Sequence, residues 1–282
     1  MVKSIGIKRI LPCLLLSVSI VLSSFSALGA EGSETSFSEK NEEAYGLVSA
    51  ISDCEKYLPI DAQTVTRGML ISAVCAAAGI SPDNGMTSAF EDVAAGTELF
   101  GFVSYAVQNG IISDSAAFRP DDAVTAAEAE KIIINMFGYG IKAEKCGGWP
   151  SGYRNVSSQI GLLSGVGATL DACGVYRMIF NMLNADSPEM YIKDGKPEYR
   201  VEGESILSRV YEIDKITGKV TSNGFTETGS LAGSQKSVKS LQGTMGIDGV
   251  KYDVRTDAFN SLIGCRVRAY IKTDDETGHD TV

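Results

Sequence analysis

Few side chains in this sequence are placed for chemistry, and the first is an arginine. Arg67 stands between Thr66 and Gly68 in the stretch TVTRGMLISAVCAAAG, which begins at Thr64. Threonine is a helix N-cap former whose hydroxyl accepts an unpaired N–H of the first turn. That puts Arg67 at the first helical position, facing the positive end of the helix dipole, where a cation costs about 0.3–1 kcal/mol. Two later copies of the same helix start carry Ala126 and Ala172 instead. An arginine kept there either pairs with a nearby carboxylate or serves a ligand, and both readings are open at this level. Together with first-turn N–H groups, a guanidinium fork suits a carboxylate or a phosphate. Trp149, the single tryptophan, and Tyr153 offer flat aromatic faces either to a sugar or to the core.

Other chemistries find less support. The single histidine, His279, stands in a turn near the end of the chain, so a Ser–His or Cys–His nucleophile is not expected. No phosphate-cradling glycine loop ending in Lys-Ser or Lys-Thr occurs. Asp121-Asp122 and Asp274-Asp275-Glu276 read as solvated turns, because no partner motif fixes their geometry. Cys54, Cys75, Cys146, Cys173 and Cys265 are widely spaced and never in a C-x-x-C pair, so neither a zinc site nor a disulfide framework is predicted. Cys75 lies in an apolar helix and reads as a small buried hydrophobe. No metal, no cofactor and no enzymatic activity are therefore expected. A glycosidase with two separated carboxylates stays as the enzymatic alternative, since such residues need no motif.

The elements that must position Arg67 come as an internal repeat. Val65–Gly79 aligns without a gap on Val124–Gly138, and Leu170–Asn184 aligns on the same segment, matching Asn135 with Asn181. Thr66, Thr125 and Asp171 fall at the equivalent N-cap position, and Glu128 completes a capping box with Thr125. Each start leads into an apolar stripe: Met69, Leu70 and Val74; Ile132, Ile133, Met136 and Phe137; Met178, Ile179, Met182 and Leu183. A second signal precedes the later copies, NGIIS from Asn109 and IGLLS from Ile160, with a fainter YGLVS at Tyr45. Three capped amphipathic helices of one bundle account for most of these residues. Arg177, further along the third helix, reads as a surface residue.

Composition frames the rest. Of 282 residues, 44% are hydrophobic and 21% charged, which predicts a packed globular chain. Lys3, Lys8 and Arg9, the run ILPCLLLSVSIVL and the small-residue stretch SSFSALGA read as a secretory signal peptide over residues 1–30, cut after Gly29 or Ala30. Its loss takes away three cations and no anion, moving the formal charge from −10 to −13. So acidic a chain disfavours nucleic acid and bare anionic membrane as partners. No later segment is apolar enough to span a bilayer, so the chain is not membrane-spanning once the signal is removed. Residues 31–43 are polar and acidic and read as a flexible leader. Helical patterning fills 44–186. The boundary between the two parts is expected within NADSPEMYIKDGKPEY, where Pro188 and Pro197 punctuate the chain, and 189–282 reads as short strands. Hairpin signals stand at Ser222-Asn223-Gly224 and Asp248-Gly249, and Val267, Ala269 and Ile271 alternate with Arg266, Arg268, Tyr270 and Lys272. The last residues read as a turn entering another strand, as in a piece of a longer exported protein. The predicted fold is α+β and multidomain: a helical bundle followed by a small antiparallel barrel or sandwich.

The segment from Phe90 to Ile133, FEDVAAGTELFGFVSYAVQNGIISDSAAFRPDDAVTAAEAEKII, closely resembles an S-layer homology repeat. The matching features are Phe90, Asp92 and Val93; Gly110-Ile111-Ile112; Phe118-Arg119-Pro120; and Val124-Thr125 with Ala127-Glu128. The second copy, 88–138, is the clearest. VTRG at Val65 is similar to the closing motif of a preceding repeat, and the stretch from Gly147 to Gly174 resembles a shortened third, of the kind in clostridial-type exported proteins. The resemblance implies a pseudo-threefold helical bundle that binds secondary cell-wall polysaccharide non-covalently, often through a pyruvate ketal, and so a secreted protein held at the cell wall. It also implies that the motif arginine faces the ligand; here that role carries over only to Arg67, since Ala126 and Ala172 replace it in the other copies. The ligand-facing residues expected are thus Thr66, Arg67, Gly68, Trp149 and Tyr153. A wall-acting hydrolase whose catalytic part lies beyond residue 282 or in the β-rich half, and a self-associating surface-array subunit, are the competing expectations.

Overall fold

The computed structural model describes residues 37–82, 90–113, 116–225, 243–254, 261–273 and 280–281. The expected signal segment, His279 and the acidic run 274–276 lie outside them.

The helical part runs α1 (Phe37–Ile51), α2 (Cys54–Tyr57), α3 (Arg67–Ala77), α4 (Glu98–Gln108), α5 (Ala126–Met136), α6 (Gly140–Lys145), α7 (Ser151–Ile160) and α8 (Ala172–Leu183). Helices α3, α5 and α8 are the three copies. Thr66, Thr125 and Asp171 cap them, each side chain accepting the N–H three residues on, and Glu128 closes the capping box of α5. The three copies pack on one another in pairs, and Leu70, Val74, Ile133, Met178, Ile179 and Leu183 meet in one core. Each copy also packs on a helix that opens a neighbouring copy: α3 on α4, α5 on α7, and α8 back on α1. The ring is therefore closed by α1, the first helix among the described residues.

That closure corrects two expectations. α1 starts at Phe37, inside the stretch read as a flexible leader, and YGLVS lies in mid-helix rather than at a helix end. Ala44, Leu47 and Val48 recur at helical spacing and are buried, and the Tyr45 ring meets Tyr176 of α8 edge-on at 5.1 Å. In the later copies the glycine of the motif does end its helix. Gly110 and Gly161 share φ 67°, a left-handed turn that glycine adopts without strain. Just past them the carbonyls of Ile111 and Leu162 accept from the side-chain amides of Asn135, at 3.0 Å, and Asn181, at 2.9 Å. The aligned asparagines thus make the same bond twice.

Between α4 and α5 the chain turns at Phe118-Arg119-Pro120. The Asp92 carboxylate accepts from the N–H of Phe118 at 2.8 Å and of Arg119 at 2.7 Å, holding Arg119 at φ 59°. The Phe90 and Phe118 rings pack 5.6 Å apart beneath this turn. The Asp-x-x and Phe-x-Pro elements of the repeat are thus one device, in which an acid holds a left-handed turn that a non-glycine residue adopts at a cost.

The chain continues through β1 (Asp186–Lys193), β2 (Lys196–Ser205), α9 (Ile206–Tyr211), β3 (Ile213–Ser222), β4 (Thr244–Ile247), β5 (Val250–Asp253), β6 (Arg266–Thr273) and β7 (Asp280–Thr281). β1 and β2 form a hairpin about Asp194-Gly195, both with positive φ, in the stretch where the boundary between the two parts was expected. Both prolines fit there because a two-stranded ribbon has only edge strands, where a missing N–H is tolerated. The remaining strands close a barrel in the order β3-β4-β5-β7-β6. It is not wholly antiparallel, because β5 and β7 run parallel. Val267, Ala269 and Ile271 point inward with Val220, Met245 and Ile247, as the alternation predicts. Asp248-Gly249 makes the tight β4–β5 turn, whereas Ser222-Asn223-Gly224 does not close a tight hairpin: β3 pairs with β4 and β6. The barrel leans on the ring, since Tyr211 donates to the Ala77 carbonyl and Ile213 and Tyr270 join the helical core.

The backbone bonds to Asp92 hold its carboxyl below the ordinary 3.8. A depressed folded-state value means stability that is present above the unfolded value and lost as pH falls through the folded one. Asp92→Asn should therefore lower the thermal midpoint at pH 7, and the gap to wild type should close on acidification below about pH 4. Melting curves across pH check this, and a gap that persists in acid counts against the mechanism.

Candidate functional site

The α3 mouth, where Thr66, Arg67 and Gly68 were expected to face a ligand, is filled by the neighbouring copy. The N–H of Arg67 donates to the Asp122 carbonyl at 3.0 Å, and that of Gly68 to the Pro120 carbonyl at 2.9 Å. The Thr66 hydroxyl accepts from Met69, and Thr66 itself bridges to Ala123. Gly68 is needed for this approach: a Cβ there would lie 3.2 Å from the Pro120 carbonyl oxygen. The guanidinium is engaged as well. Arg67 Nε donates to the Phe118 carbonyl at 2.8 Å, Nη1 to Glu128 Oε1 at 2.7 Å, and the group lies 5.1 Å from the Phe118 ring centroid. Its side chain is only 16% exposed. Glu128 is partly buried, which raises its carboxyl, but the Thr125 hydrogen bonds and the Arg67 charge outweigh that and hold it below its ordinary value. Of the two readings open for Arg67, the structure supplies the carboxylate partner. The dipole cost is offset by a link between copies, which explains why one arginine suffices.

A more open arrangement lies between α5 and α7. Ala127, Glu130, Trp149, Pro150, Ser151, Tyr153 and Arg154 line a groove of about 330 Å³, within the range of ligand sites. Trp149 is 45% exposed and meets Tyr153 edge-on at 5.8 Å, and Lys131 Nζ stands 5.2 Å from the indole centroid. Tyr153, expected to face ligand, is instead buried. Its hydroxyl bonds Asn135 Oδ1 and Glu144 Oε1, each at 3.0 Å, and burial pushes it up to about 12. Trp149 thus projects into solvent while Tyr153 braces it.

Glu130 was missed from sequence, because its position within an apolar run looks like the polar side of a helix. It is 1% exposed, and Oε1 lies 3.1 Å from Arg154 Nη2 without hydrogen-bond alignment. Burial raises its carboxyl, opposed by Ser157 and Arg154. The groove therefore combines an indole face, Arg154 with Lys131 at its edge, and a carboxyl whose Oε1 is aligned with no donor among the described residues. Such a set can stack on a sugar ring and bond its hydroxyl or acid substituents. Thr125, Glu128 and Asp171 act as helix caps, as expected. Arg177, read as a surface residue, is 5% exposed. Among the described residues, no group of three metal-ligating side chains gathers and no helix is long and apolar enough to cross a membrane.

The chain is 24% identical over 182 residues to the middle cell wall protein of Brevibacillus brevis. The match covers 62% of this chain and 17% of that protein's length. No family model matches the chain. The distant similarity to a cell wall protein is compatible with a cell-surface protein.

Arg67→Ala should act on the fold. Losing the link to Glu128 and Phe118 is expected to cost about 1–2 kcal/mol in denaturant unfolding. Glu128→Gln should account for part of that loss, with the double variant less than additive. Full additivity would mean that the two side chains are not coupled.

Proposed function

We propose that this is an exported surface protein held non-covalently on the bacterial cell wall, and that the α5–α7 groove contacts wall glycan. The observation that carries the reading is Trp149: an exposed indole, braced by Tyr153 and flanked by Lys131, at the edge of a groove of ligand size. The resemblance to S-layer homology repeats and the similarity to a cell wall protein support it. The implied partner is a secondary cell-wall polysaccharide, with Lys131 and Arg154 placed to meet an acidic substituent on the sugar. The binding site moves from Arg67, where the resemblance would put it, to the next groove, because the first-turn N–H groups of α3 and the Arg67 Nε and Nη1 have internal partners.

At this groove a binding role is preferred over hydrolysis. Glycoside hydrolysis needs paired carboxyl groups, and Glu130 is the one acidic side chain among the described groove residues. The surface-array alternative draws on no particular surface of the described residues.

Co-sedimentation with purified sacculi, before and after removal of the secondary polymer, tests the proposal. Trp149→Ala should weaken retention roughly tenfold, equivalent to about 1.4 kcal/mol, while leaving the thermal midpoint nearly unchanged. Retention indifferent to both the tryptophan and the polymer would remove the groove from the interaction. Release of soluble wall fragments during incubation would favour the hydrolase.

A further inference from the structure

The repeat alignment pairs Lys131 of α5 with Arg177 of α8. Lys131 looks across its groove at α7. Arg177 faces α1, but there the outer face of β6 covers the groove. Glu43 of α1 is the hub of this junction: Arg268 Nη1 donates to Oε1 at 2.8 Å and Oε2 at 2.9 Å, and the Tyr270 hydroxyl to Oε1 at 2.8 Å. Both oxygens are thus taken before Arg177 is served. Its charge feels Glu43, Tyr270 and Arg268, yet its Nε and Nη2 are buried with no hydrogen-bond partner among the described residues. The guanidinium carbon also stands 5.2 Å from the Phe180 ring centroid, and Nε lies beside Gly165, where a Cβ would be 3.6 Å away. Lys215 on β3 adds a third cation, within the field of Arg268 and Glu43 and 3.4 Å from Asn184 Oδ1.

The balance is unusual for a junction in which Arg177, Glu43 and Tyr270 are buried. Three cations, Arg177, Arg268 and Lys215, surround one carboxylate in a protein of net charge −10. A guanidinium with two unpaired buried nitrogens is costly to keep, and a bound anion would remove that cost. Fork geometry makes paired arginines suited to a planar carboxylate or a tetrahedral oxyanion. Arg268 is 44% exposed, which leaves an entry at the barrel edge.

We propose that the junction of α1, α8 and the β3–β6 face is a small-oxyanion site, in which Arg177 and Arg268 grip a phosphate or carboxylate group, assisted by Lys215. The anion fastens the barrel to the ring by bridging one cation from each. It competes with Glu43 for Arg268, so Glu43 sets its affinity. The site stands on different residues from the glycan groove and does not depend on that groove's role.

Thermal melts of the wild-type chain in sodium phosphate, against sodium chloride at matched ionic strength, provide the test. Phosphate should raise the midpoint by several degrees in a saturating way. Arg268→Gln should weaken the apparent phosphate affinity roughly tenfold. Arg177→Met should abolish the response, and Glu43→Gln should tighten it by freeing Arg268. The solvent-facing substitutions Arg268→Gln and Lys215→Gln decide the matter if Arg177→Met does not fold. A second arm, glucuronate against glucose, separates a sugar-borne carboxylate from a free inorganic anion. An equal phosphate response in wild type, Arg268→Gln and Lys215→Gln would reduce the effect to general salt stabilisation and overturn the site. Absence of any phosphate-specific or glucuronate-specific shift in wild type would overturn it as well. Sacculus retention through Trp149 would stand in either case.

Discussion

The first-turn amides of a helix have no partner within the helix, and in α3 two of them are paired by the copy that follows. The rest of the ring depends on that pairing. The carbonyls of Pro120 and Asp122 can reach Arg67 and Gly68 only because the turn before them is held by Asp92. The same turn presents the Phe118 carbonyl to the Arg67 guanidinium, whose other arm reaches the capping glutamate of α5. Asp92, Phe118, Arg67, Thr125 and Glu128 thus form one chain of hydrogen bonds joining the start of one copy to the start of the next. The third joint is simpler: Ala172 donates to the Ala62 carbonyl, and the Tyr176 hydroxyl to that of Leu58.

An arginine at the mouth of a helix looks like a ligand cation when only its own copy is considered. In the assembled ring it is a structural link, because the carboxylate that would attract it lies in the next copy. Alanine suffices at 126 and 172, where no equivalent bridge is made among the described residues. The same copying that builds the ring also produces non-equivalent grooves. Between α5 and α7 the groove stays open, with an aromatic projecting into it. Between α8 and α1 it is covered by β6. One scaffold can therefore expose a contact surface at one joint and bury a charged junction at another.

That junction changes how the two halves relate. Tyr270 meets Phe180 edge-on at 6.4 Å, Tyr211 bonds the end of α3, and Glu43 ties α1 to β6. The barrel rests on the ring through its outer strand face, the face that alternation marked as polar. Tyr270 on such a face can be buried and Arg268 held beside it when a carboxylate is supplied from elsewhere, and the supplier is a residue of the stretch that reads as a leader.

What was legible in the sequence was local. N-caps, apolar stripes, left-handed glycines and the Asp-Gly turn act within a few residues, so Thr66, Thr125, Asp171, Gly110, Gly161 and Asp248-Gly249 could be read from type and spacing. The alternation of β6 was legible for the same reason. What only the tertiary structure decided was partnership. Whether Arg67 meets Glu128 or a ligand, whether Tyr153 is buried while Trp149 is not, and whether Glu43 belongs to a leader or to a buried hub all turn on residues distant in the chain. A charged side chain carries no mark of its partner, because Coulomb attraction and hydrogen bonding depend on where the fold brings the second group and on how much water it removes.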